Sequence, residues 1–123
     1  MRYLTPNQVR SQLAGGRAVE QLLPSPTGVV AYVSVYRDRQ GCFTVWHAEC
    51  EDVGSVDFID LYEFPDIDPD APEGRGLTFE SADAALAHSH RSLGASPESW
   101  LGRGMIQDVY AERKRKQTQA KHA

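Results

Sequence analysis

Lysine is missing from most of this chain: Lys114, Lys116 and Lys121, its three copies, all fall in the last ten residues. Between Gln40 and Gly74 arginine is missing too, while ten carboxylates accumulate there. A net charge of −4 over 123 residues argues against a general nucleic-acid binder, which needs a basic footprint. No apolar run approaches the roughly 20 residues that span a bilayer, so no membrane partner is expected. The stretch from Met1 to Asn7 lacks the apolar segment of a secretory signal, and the expectation is a cytoplasmic, bacterial protein.

Cysteine is scarce, with only Cys42 and Cys50. On one extended strand they would stand roughly 26 Å apart at about 3.3 Å per residue. A disulfide needs Cα atoms within about 7 Å, so two small buried thiols in a reducing compartment are expected.

Motifs for bound groups are lacking as well. No zinc-spaced cysteine pair and no glycine-rich phosphate loop is found. Asp66-Ile67-Asp68-Pro69-Asp70 opens like a calcium loop, but its sixth and twelfth positions are Ala71 and Leu77 rather than glycine and glutamate. His88 and His90, two apart on a helix, point about 200° away from one another and cannot share a metal. Next to Arg91 and just before Gly94, they suit the negative end of a helix dipole. No catalytic residue, cofactor or metal is therefore expected, and the chain is not read as an enzyme.

What is present is a well-punctuated α+β pattern. Thr5, Pro6 and Gln8 form a capping box with proline at the first helical position, and Leu4 with Val9 makes the hydrophobic staple. Gly15-Gly16 ends that short helix. Ala18–Leu23 and Val29–Arg37 read as strands, the second with Val29, Ala31, Val33 and Val35 on one face and Val30, Tyr32, Ser34 and Tyr36 on the other. Asp38 to Gly41 is a tight turn, Cys42–Glu49 a third strand, and Val56–Phe64 a fourth.

A loop from Pro65 to Gly76 follows, and Ser81 caps a second helix that stops near Gly94. Ser96-Pro97-Glu98 begins a short helical turn carrying Trp100, and a last helix starts near Met105. The expected fold is a four-stranded antiparallel meander with a short N-terminal helix and two to three C-terminal helices, all packed on one face. The opposite face is expected to be partly open. Residues 1–112 form a single domain in this reading, and 113–123 a basic, flexible tail opening with Arg113-Lys114-Arg115-Lys116. That tail either stays solvated or pairs with the chain's own acidic region.

The acidic block sits among large aromatics. Carboxylates two apart on one strand face repel by only about 0.6 kcal/mol in water, so the fold tolerates them without a functional reason. Aromatics ringed by one sign of charge suit an interface with a basic partner, whose approach the field accelerates. The candidate partner-binding residues are Trp46, Glu49, Glu51, Asp52, Asp57, Asp60, Tyr62, Glu63, Asp66, Asp68 and Asp70. The leading expectation is a small protein-binding module, most specifically an immunity protein or antitoxin that inhibits a basic, nuclease-type toxin. A small-molecule or enzymatic domain using the open sheet face is the alternative, with Tyr32, Tyr36, His47 and Asp60 as pocket candidates. An open sheet edge would also allow a homodimer.

Overall fold

The computed structural model describes residues 3–55, 57–67 and 76–122, with side chains to Gln117. Helix α1 (Pro6–Ala14) starts on the expected capping box: the Thr5 hydroxyl accepts from the Gln8 amide and the Gln8 side chain accepts from the Thr5 amide. Such a cap contributes about 1 kcal/mol to a helix of nine residues, too short to persist alone. Its remaining stability comes from burying Val9 and Leu13 on the sheet.

The sheet has five antiparallel strands, β1 (Val19–Leu23), β2 (Val29–Arg37), β3 (Phe43–Glu51), β4 (Gly76–Phe79) and β5 (Leu101–Gly102), in the order β4-β3-β2-β1-β5. The β2–β3 turn is fixed by Asp38, whose Oδ1 accepts from the amides of Gln40 and Cys42. From that turn the two strands pair without interruption from Arg37–Phe43 to Val29–Glu51. Cys50 lies buried at the far end of β3, whereas Cys42, beside the β2–β3 turn, is only half-buried rather than buried as expected, and neither forms a disulfide. Helix α2 (Ala82–Ser92) is capped by the Ser81 hydroxyl, which accepts from Ala84 N, and helix α3 (Ile106–His122) closes the chain.

The expected fourth strand is not one. Described residues between 55 and 64 form an irregular crossing, with reciprocal amide–carbonyl bonds between Ser55 and Phe58 and a 3-10 turn at Leu61–Glu63. The aromatic density that suggested a strand serves here to cover the sheet: Leu61 and Phe64 are buried beneath α3. Pro65–Ile67 then runs back along β3, where Glu51 N donates to Pro65 O and Ile67 N to Glu49 O. The meander's fourth strand is instead β4, which pairs with the first half of β3, and the very short β5 pairs with β1.

The helices also divide between the two faces, rather than sharing one. Helices α1 and α2 cover Val19, Leu23, Ala31, Val33, Val35 and Val45. Ile106 and Tyr110 of α3, with Leu61 and Phe64, cover Leu22, Val30, Tyr32, Ala48 and Cys50 on the reverse. The cause is visible in β2, where Val30 and Tyr32 are as deeply buried as Ala31. A strand apolar on both sides needs a layer on each.

Two polar devices pin the connections. Gln21, buried on β1, donates to Ser96 O at 2.9 Å and accepts from Ser96 N, which ties the 94–97 link to the sheet as a further strand would. Trp100, fully buried, donates its indole N–H to Nε2 of His90 at 3.0 Å. His90 therefore serves as a half-buried acceptor, a role its position near the helix end does not announce.

Candidate functional site

Helix α3 and the 57–67 crossing cover only one end of the second sheet face. The other end remains a cleft of about 590 Å³, within the roughly 300–1,000 Å³ range of ligand sites. Tyr32, Tyr36, Trp46 and Tyr62 supply its aromatic lining. Tyr32 and Tyr62 meet edge to face, with ring centroids 6.0 Å apart. Glu20 lies at its base with only 2% of its surface exposed, accepting the Tyr62 hydroxyl and, at 3.0 Å, the Gly104 amide. Burial first, and then the hydrogen bond to Glu20, push the Tyr62 phenol up, so it stays a protonated donor. Burial and the negative groups around it act on Tyr32 in the same direction.

Two cations also line this cleft. Arg37 is anchored by donation from Nη1 to Ala14 O, the exposed carbonyl end of α1, at 3.1 Å. Arg103 projects from the tight turn closed by Met105 N donating to Gly102 O. That turn is fixed from the other side by the bond from Gly104 to Glu20, at a φ of 90° that favours glycine.

The acidic candidates separate into distinct groups. Glu49, Glu51, Asp57, Glu63 and Asp66 are exposed on the 49–67 region at the far end of β3. Within the same segment Val53, Phe58 and Ile67 are 48%, 42% and 48% exposed, so large apolar side chains stand open to solvent in an acidic stretch of chain. Asp52 belongs to an internal contact instead. It accepts from Tyr110 and from Lys114, whose Nζ is 2.7 Å away. Burial tends to raise its pKa, but the hydrogen bonds and the Lys114 charge outweigh that and hold the carboxyl below its usual value. Asp60 likewise accepts from Gln107 of α3 at 3.1 Å. Trp46 and Tyr62 line the cleft rather than the ridge. Asp68 and Asp70 lie outside the described residues.

Of the pocket candidates, Tyr32 and Tyr36 line the cleft and Asp60 does not. His47 sits opposite Val33, on the side of β3 that faces α1 and α2. Sequence reasoning missed Glu20, Arg37 and Arg103 at the cleft. Glu20 had one available signal, the single charged residue inside the Ala18–Leu23 strand.

The basic stretch at Arg113–Lys116 lies within α3, and its Lys114 contacts the chain's own acidic block. Among the described residues no cluster of His, Cys, Asp and Glu could hold a metal ion, and no helix is long and apolar enough to cross a membrane. Comparison with protein families, curated proteins and solved structures returned no significant match.

Proposed function

We propose that this protein is a binding module for a basic protein partner, engaged through the acidic and apolar ridge of residues 49–67. The observation that carries this reading is the exposure of Val53, Phe58 and Ile67 among Glu49, Glu51, Asp57, Glu63 and Asp66. Isolated exposed apolar side chains are ordinary, but three within one short segment of a single charge sign suit a hydrophobic contact with an electrostatic rim. The carboxylates speed encounter with a cationic surface and oppose anionic competitors, while the apolar residues supply affinity once solvent is expelled. The internal pairing of Asp52 with Lys114 takes Asp52 out of the contact surface. Inhibition of a nuclease-type toxin, whose substrate groove is cationic, is the most specific form of the proposal.

The test compares the wild-type chain with the quadruple variant Glu49→Lys, Glu51→Lys, Asp57→Lys and Glu63→Lys, and separately with Phe58→Ser. Each is expressed in its native host and cross-linked before purification. A single basic protein should be retained by the wild type, with affinity falling as salt rises, and lost by both variants. Co-expression of that protein in a sensitive host should be toxic without the wild-type chain and harmless with it. Retention of the same partner by the quadruple variant, at unchanged salt dependence, would sink the ridge as the interface.

A further inference from the structure

We infer that the cleft on the second sheet face binds a small planar organic anion, a flat ring bearing a carboxylate or phosphate group. The proposal uses a different surface from the acidic ridge and does not depend on it.

The charge of the cleft points one way. The chain as a whole is acidic, at −4, yet Arg37 and Arg103 line a site where, among the described residues, Glu20 is the one carboxylate of the lining. Glu20 has almost no exposed surface and already accepts from Tyr62 and Gly104, so it serves to hold the site's shape. It fixes one aromatic wall and, through Gly104, the turn that presents Arg103. The anchoring of Arg37 to Ala14 O removes part of the freedom of that side chain as well. A guanidinium held in place before binding loses less entropy on meeting an anion and can offer it paired N–H donors.

The walls define the rest of the ligand. Trp46 and Tyr36 are partly exposed and present rings on the surface where the sheet lacks helical cover. Backbone approach at Gly76 leaves room for the Trp46 indole, since a Cβ there would stand 3.3 Å from the ring. Flat aromatic surfaces beside arginines accommodate a ring by stacking and its anionic substituent by charge-assisted hydrogen bonds. A cleft of about 590 Å³ has room for a ligand from a substituted benzoate to a mononucleotide.

The two tryptophans provide the readout, because Trp46 lines the cleft while Trp100 is buried in the opposite core. The indole N–H resonances of the ¹⁵N-labelled full chain are followed during addition of salicylate, AMP and their neutral counterparts, salicylamide and adenosine. At least one anion should shift Trp46 saturably and leave Trp100 in place. Its neutral counterpart should bind at least about tenfold more weakly, and Arg103→Gln should weaken the anion by a similar factor. Tyr36→Ser, at an exposed position, should weaken both members of the pair. Absence of a saturable Trp46 shift with either anion at millimolar concentration would overturn the proposal. Equal binding of anion and neutral counterpart, or unchanged binding by Arg103→Gln, would overturn it too.

Discussion

Lys114 of α3 holds its ammonium nitrogen 2.7 Å from Oδ2 of Asp52, the first residue beyond β3, and the two side chains are only 21% and 15% exposed. The same ammonium lies 5.5 Å from the centre of the Tyr110 ring, whose hydroxyl donates to the other carboxylate oxygen. One carboxylate thus joins the last helix to the acidic crossing.

Lys114→Met should lower stability by about 1–2 kcal/mol, between the values for exposed and fully buried ion pairs. The native state holds the Asp52 carboxyl below its ordinary value of 3.8. Its contribution is therefore present above that value and fades as pH falls through the native pKa. Urea unfolding should show the full difference between wild type and variant above about pH 5, shrinking steadily in stronger acid. A difference independent of pH would contradict this assignment.

Burial holds the His90 imidazole below its ordinary pKa of 6.5, and the indole N–H of Trp100 needs Nε2 free to accept. The unfolded chain takes up the proton first, so this contribution is complete above pH 6.5 and declines as pH drops below it. His90→Gln keeps an acceptor but cannot titrate. Melting profiles between neutral and mildly acidic pH should fall for the wild type more steeply than for this variant.

Gly54 is required by close approach. A Cβ there would lie 2.6 Å from the Phe58 carbonyl oxygen, 2.5 Å from the Phe64 ring and 2.3 Å from the Tyr110 hydroxyl. Gly54→Ala should cost about 1–3 kcal/mol through overpacking, with loss of near-ultraviolet aromatic signal before helix content. Chemical denaturation followed by both probes tests it.

Gln21→Leu preserves bulk on β1 but removes both hydrogen bonds to Ser96. The expected loss is about 1–3 kcal/mol, because the partners are left with poorer bonding than before. Hydrogen exchange at the Ser96 amide should accelerate in the variant while the β2–β3 ladder remains protected.

The elements legible in the sequence were those specified by neighbours in the chain. Thr5 with Gln8, Ser81 before α2, and the regular pattern of Val29–Arg37 all act within a few residues, and the structure places each as expected. The crossing at 55–64 was misread because an aromatic-rich segment is equally apolar whether it joins a sheet edge or lies across a face. Only a pairing partner distinguishes the two, and β3 gives that edge to β4 and to Pro65–Ile67. Tyr32 and Tyr36 were recognised as cleft candidates from strand alternation. Arg37, Arg103 and Glu20 were not, since the β1–β2 pairing and the turn after β5 bring them together from distant points of the chain.

By itself the sequence determined the helix starts, the central hairpin and the concentration of negative charge, because those follow from local bonding rules and composition. Tertiary structure alone decided that the sheet is covered on both faces, that Lys114 neutralises Asp52, and that a cleft with two arginines remains at one end. These depend on which surfaces meet, and a strand apolar on both sides leaves the chain free to choose its cover until long-range packing fixes it.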